Sequence, residues 1–109
     1  HHPRLDKVIQ YIEDNVSTKL TLNDLARQAS LHPTYFSNLF SQVYGIPPMR
    51  YLLLHRIHRA EKLLRSGELS IAQIAENVGF EDPFYFSRKF KQIAGVPPTA
   101  YRKFAPLER

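Results

Sequence analysis

The stretch from Ile71 to Arg102, IAQIAENVGFEDPFYFSRKFKQIAGVPPTAYR, sets the reading of the whole chain. Ile74, Ala75 and Val78 give a short helix one apolar face, and Gly79 then supplies a tight turn that a Cβ would crowd. Ser70 and Gln73, three residues apart just ahead of that face, match a box in which each side chain caps the other's backbone. Asp82 before Pro83 marks a second helix start: an N-cap oxygen, then a ring whose missing N–H costs nothing at the first helical position. On that second helix Phe86, Phe90 and Ile93 fall on one side, to pack against the first helix, while Phe84, Ser87, Arg88 and Lys91 share the other. Two short helices joined by a turn, the second polar and cationic on its outer face, form the pattern of a helix-turn-helix DNA reader.

Working backward along the chain, the same pattern occurs once more. Thr21, Leu22, Leu25, Ala26 and Leu31 correspond to Ser70, Ile71, Ile74, Ala75 and Phe80 at an offset of 49. Tyr35, Phe36, Ser37, Phe40, Gln42, Gly45, Pro47, Pro48 and Tyr51 correspond to Tyr85, Phe86, Ser87, Phe90, Gln92, Gly95, Pro97, Pro98 and Tyr101 at an offset of 50. The inserted residue falls in the turn between the two helices, where a change of length is best tolerated. The first copy therefore predicts its own reading helix from Pro33 to Val43, with Phe36, Leu39, Phe40 and Val43 inward and Thr34, Ser37, Asn38 and Ser41 outward. It departs from the second copy where Ser30 stands for the turn glycine and His32 for the capping aspartate.

Three further helices are expected around these copies. From Pro3, Leu5, Val8, Ile9, Ile12 and Val16 trace an amphipathic support helix whose polar side carries Lys7, Glu13 and Asp14. Between the copies, Pro48 to Arg65 reads as one strut about 27 Å long at ~1.5 Å per residue. Leu53, Ile57, Ala60 and Leu64 are its expected buried stripe, and Ser66 with Gly67 ends it. Two reading heads on such a strut suit successive major-groove turns, which lie ~34 Å apart. Pro97 and Pro98 start a last short helix through Tyr101 to Phe104, with a frayed tail from Pro106. Each Gly-x-Pro-Pro-x-x-Tyr element closes its own subdomain. His1 and His2 are either the end of a tag or native residues, and no function is assigned to them.

Composition narrows the partner. The chain has 109 residues, enough for one or two small helical cores, and no cysteine, which excludes disulfides and thiolate metal sites and fits a reducing compartment. No apolar run approaches the ~20 residues that span a bilayer, and no secretory pattern opens the chain, so a cytoplasmic, nucleoid-associated protein is expected. The net charge is +5 and the pI about 9.7, which favours a polyanion. Five cations against one acid lie between Pro48 and Arg65, with four against four before and six against five after, so the strut carries most of the excess. His55, His58, Arg59, Lys62 and Arg65 fall on the strut's outer side, either as a solvated face or as part of the field over DNA phosphates.

The quoted stretch, the degenerate first copy and the long strut together resemble the DNA-binding domain of the AraC/XylS transcription regulators, from about Leu5 to Phe104. The resemblance implies an all-α fold of seven helices, with two helix-turn-helix subdomains joined by a long linker helix. Residues 1–109 would form one DNA-binding domain, with subdomains at 3–46 and 67–105 and the linker at 47–66. It also implies binding to asymmetric promoter sites on double-stranded DNA, usually with activation, which needs a contact with RNA polymerase. Carried over by position, Thr34, Ser37 and Asn38 of the first reading helix face bases, as do Phe84, Ser87 and Arg88 of the second. Tyr85 and Lys91 are better placed for the DNA backbone. Regulators of this kind usually carry a sensor or dimerisation domain that this chain lacks. A fragment from the C-terminal end of a longer protein is therefore expected, monomeric by itself, with any dimerisation supplied by the missing part.

Chemistry ranks these residues. Arg88 can grip guanine through O6 and N7, and Asn38 can pair bidentately with adenine. Thr34 and Phe84 offer apolar contact to a thymine methyl, while Ser37 and Ser87 touch phosphate or simply permit close approach. Against these stand blander roles: a surface salt bridge for Arg88, and shielding of the subdomain edge for Phe84. Helical spacing assigns the aromatics Tyr35, Phe36, Phe40, Phe86, Phe90 and Tyr101 to core packing rather than to stacking on bases. No catalytic constellation, cofactor motif or phosphate-binding glycine loop is present, and the His55/His58 pair lacks a third metal ligand. A protein-interaction module with an incidental basic face is the remaining rival to DNA binding.

Overall fold

The computed structural model describes residues 2–104. Among them seven helices and no strand occur: α1 (Pro3–Asp14), α2 (Leu22–Gln28), α3 (Pro33–Tyr44), α4 (Pro48–Ser66), α5 (Ile71–Asn77), α6 (Pro83–Ala94) and α7 (Pro98–Phe104). The tail from Pro106 lies outside the described residues. The chain divides into two compact units, His1–Leu53 and Leu54–Arg109, and the division falls inside α4.

In the first unit, Leu5, Val8 and Ile12 of α1 pack with Leu25 and Ala26 of α2, Phe36 and Phe40 of α3, and Leu52 of α4. Phe40 is the hub: its ring centroid lies 5.8 Å from Phe36, 4.6 Å from Tyr44 and 5.5 Å from Tyr51. Val43, which helical spacing places inward, is instead 43% exposed. Tyr44, the next residue, takes the inner place because the chain turns back at Gly45 and brings Tyr51 within 5.8 Å of its ring.

The second unit repeats the plan. Ile57, Ala60 and Leu64 of α4, Ile74 and Ala75 of α5, Val78, and Phe86 and Phe90 of α6 are all buried. Tyr101 of α7 sets its ring edge against Phe90 at 5.4 Å, as Tyr51 does against Phe40, so both Gly-x-Pro-Pro-x-x-Tyr elements close onto the last phenylalanine of their reading helix. Arg102 fixes α7 further, donating to the carbonyls of Leu64 and Leu69.

On α4 the buried stripe runs through Leu52 and not Leu53, which is half-buried. Leu52, Arg56, Ala60 and Leu64 recur every four residues, so the inner face runs through an arginine. Arg56 is only 7% exposed and its Nη1 donates to the carbonyl of Val78, the C-cap of α5, at 2.8 Å. Burial holds its pKa below the ordinary guanidinium value. The bond satisfies a carbonyl left over at a helix end while the aliphatic stem packs. Arg56→Met keeps the stem and removes the donor. We expect it to destabilise the second unit by about 1 to 2 kcal/mol, since an orphaned buried acceptor outweighs the relief of a buried charge. Urea unfolding measures this, and a variant as stable as the parent contradicts it.

Candidate nucleic-acid interface

Each helix-turn-helix is built from the same sequence of caps. Thr21 opens α2 and Ser70 opens α5, each accepting from the backbone N–H three residues on, at 3.1 Å in both. The reciprocal bonds run from the Thr21 N–H to Asp24 Oδ2 and from the Ser70 N–H to Gln73 Oε1, at 2.9 Å each. Hydrogen bonds from the Thr21 backbone and hydroxyl lower the pKa of Asp24. A lowered folded-state value means that this contribution is fully present above the ordinary pKa of 3.8 and is lost as pH falls through the folded one.

Both turns then close in the same way. The Leu31 N–H bonds to the Ala26 carbonyl and the Ser30 N–H to that of Arg27, matched by Phe80 to Ala75 and Gly79 to Glu76. This double closure needs a left-handed residue at its corner. Gly79 meets it freely at φ 90, whereas Ser30 meets it at φ 57 with the strain of a Cβ, roughly 1 kcal/mol. The departure at Ser30 therefore leaves the turn geometry intact.

The reading helices start with proline at the first position and a side-chain acceptor before it. Asp82 Oδ1 accepts from the Phe84 N–H at 2.9 Å, and His32 Nδ1 from the Thr34 N–H at 3.3 Å, so histidine substitutes for the aspartate with its ring nitrogen. Gly45 and Gly95 end α3 and α6 in left-handed conformation. Framed this way, α3 buries Phe36 and Phe40, and α6 buries Phe86 and Phe90.

The opposite faces carry the residues expected to read DNA. On α3, Thr34 and Asn38 are exposed and Ser37 is half-buried between them. On α6, Phe84 is 76% exposed, Arg88 and Lys91 are exposed, and Ser87 is half-buried. Arg88 makes no ion pair among the described residues. Phe84, exposed to this degree, does not shield the subdomain edge. The two faces differ in charge: α6 carries Arg88, Lys89 and Lys91, and α3 carries no lysine or arginine.

Tyr35 corrects the core assignment, and Tyr85 is exposed like it. Tyr35 is 59% exposed and Tyr85 is 44% exposed, because each precedes an inward phenylalanine and so points about 100° around the helix from it. Around Tyr85 the structure adds a residue that sequence reasoning passed over: Lys89 Nζ lies 5.6 Å from the ring centroid, and Arg88 Cζ 5.7 Å from it. Spacings of three and four from Tyr85 were the available signal.

The strut face is smaller than its sequence suggests. His58, Arg59 and Lys62 are exposed, but His55 and Arg65 are half-buried. Arg65 donates to the Tyr101 hydroxyl and His58 Nδ1 sits 3.5 Å from Glu61 Oε1, so both are engaged within the protein. His55, His58, Arg59, Lys62 and Leu63 line a shallow groove of about 350 Å³. Among the described residues no three His, Cys, Asp or Glu side chains gather to hold a metal, and no helix is long and apolar enough to cross a membrane.

Two capped helix pairs, each with a buried aromatic face and a polar outer one, define a helix-turn-helix DNA-binding domain. A family model described as a helix-turn-helix domain matches residues 25–103, and the chain belongs to the AraC-type family of helix-turn-helix transcription regulators. It is 38% identical over 80 residues to the regulatory protein PocR of Salmonella typhimurium, covering 73% of this chain and 26% of that protein. It is 40% identical over 74 residues to the HTH-type regulator YisR of Bacillus subtilis, covering 68% and 26%. The chain thus spans about a quarter of the length of these curated relatives. Among solved structures, the C-terminal domain of the response regulator AraT from Geobacillus stearothermophilus superposes with a TM-score of 0.91 at 36% identity, over 99% of this chain and 89% of that one. The DNA-binding domain of AdpA, a global transcriptional factor solved in complex with a target DNA, superposes with a TM-score of 0.88 at 25% identity, over 92% and 90%.

Proposed function

We propose that this domain reads a two-part promoter site as a single chain, with α3 and α6 in successive turns of the major groove, and activates transcription. The observation that carries this reading is the presence of two complete heads in one chain, each presenting an outward triplet at matched positions. Thr34, Ser37 and Asn38 read bases in one half-site, and Phe84, Ser87 and Arg88 in the other. Tyr85 and Lys91 contact the DNA backbone. The subdomains run over 3–46 and 67–105 with the linker helix at 47–66.

In this reading the two heads contribute unequally. Besides Arg88, α6 carries Lys89 and Lys91 and α3 carries no cation, so the second head anchors and both heads read. Activation requires a surface that meets RNA polymerase, and the whole protein works in the cytoplasm on the nucleoid. The domain acts as a monomer, with sensing and dimerisation left to the remainder of a longer protein.

Salt titration tests the duplex as partner. Log K should fall steeply and linearly with log salt, by about 0.9 for each phosphate neutralised. Lys91→Ala should weaken all duplexes alike and flatten that slope by about one unit. A slope near zero would instead favour a protein partner for the same face.

A further inference from the structure

The geometry points to Tyr85 as the positioning residue of the second head: its ring holds the Arg88 guanidinium over the recognition surface before DNA arrives. This rests on the proposed reading in which Arg88 contacts a base. Tyr85 is partly exposed, and three side chains approach its ring. Arg88 and Lys89, three and four residues on, lean back along the helix toward its N-terminus and approach the ring at 5.7 and 5.6 Å. Both distances lie within cation–π range.

The ring also meets Phe80, the residue that follows the turn glycine, at 6.0 Å. Phe80 in turn packs edge-on against the fully buried Phe86 at 5.2 Å. A chain of three rings therefore ties the guanidinium to the core of the unit. Arginine is the costliest kind of side chain to order at an interface, and one already held near its bound place loses less freedom on binding. The first head has no such device: the matched positions hold Leu31, Tyr35, Asn38 and Leu39, with neither a ring at the turn nor a cation to hold.

Two roles of Tyr85 can be separated chemically. A phosphate contact uses the hydroxyl, whereas positioning uses the ring. The test takes the duplex that the unaltered chain enriches from a random pool, together with the same duplex changed at each base pair in turn, and measures Kd for Tyr85→Phe, Tyr85→Leu, Arg88→Ala and the Tyr85→Leu/Arg88→Ala pair. Arg88→Ala first identifies the base pair it reads. At that base pair Tyr85→Leu should lower discrimination roughly three- to tenfold, and Tyr85→Phe should preserve it. The double variant should discriminate no worse than Arg88→Ala alone, because the ring acts through the arginine. Tyr85→Leu that keeps full discrimination, or that weakens every duplex equally and additively with Arg88→Ala, overturns the positioning role. Arg88→Ala that leaves every base preference intact overturns the base-reading assignment itself, and the role of Tyr85 with it.

Discussion

Replacing Phe90 with alanine should cost the second unit about 3 to 5 kcal/mol and abolish specific binding. Phe90 is fully buried, with Phe86 at 5.8 Å and Tyr101 at 5.4 Å around it. Its removal leaves a cavity where the reading helix meets the element that closes the unit. A unit of roughly half this chain holds only a few kcal/mol of stability, so the loss is comparable to the whole. Thermal unfolding followed by circular dichroism should show the second unit melting well below the parent. The matched change, Phe40→Ala, should do the same to the first unit, where Phe40 touches Phe36, Tyr44 and Tyr51. A loss under 1 kcal/mol in either variant would mean that the aromatic hub does not organise its head.

Arg88→Ala should relax base choice by about 1 to 3 kcal/mol at one position of the site while leaving the fold intact. The side chain is exposed, makes no ion pair among the described residues, and sits on the face opposite Phe86 and Phe90, so nothing in the core depends on it. On random duplexes its loss should register only as one missing positive charge. Arg88→Lys should restore that charge but not the discrimination, since an ammonium cannot make the paired bonds of a planar fork. Equal losses on specific and random duplexes would assign Arg88 to phosphate instead. Competition binding with single-base variants of the site distinguishes these outcomes.

Much of this was legible in the residues, because a repeat constrains what a single copy leaves open. The capping pair Ser70 and Gln73, the Asp82–Pro83 start and the turn at Gly79 could each be read directly, and the structure forms all three. The equivalent pair Thr21 and Asp24 carried the same signal and was passed over, since aspartate is the shorter partner for such a box. His32 and Ser30 looked like departures. They turn out to be chemical substitutes, a ring nitrogen for a carboxylate and a strained serine for a glycine.

What sequence reasoning missed lies where helical phase alone does not decide. Leu52 and Leu53 are both apolar, and only packing selects the first; the same phase then carries Arg56 inward, a placement that makes sense only once the Val78 carbonyl is seen to need a donor. Arg65 belongs to the outer face by angle, but the Tyr101 hydroxyl draws it in. Tyr35 read as core because aromatics usually are, and its exposure follows from sitting one residue before the inward Phe36.

The central claim is that one chain reads two different half-sites. Selection of bound duplexes from a random pool by the purified chain, at two salt concentrations and followed by sequencing, tests it most directly. The account predicts two unlike short motifs about ten base pairs apart, one turn of the duplex. Enrichment of a single motif would contradict reading by the first head, and no enrichment at either salt would contradict sequence-specific binding by this domain.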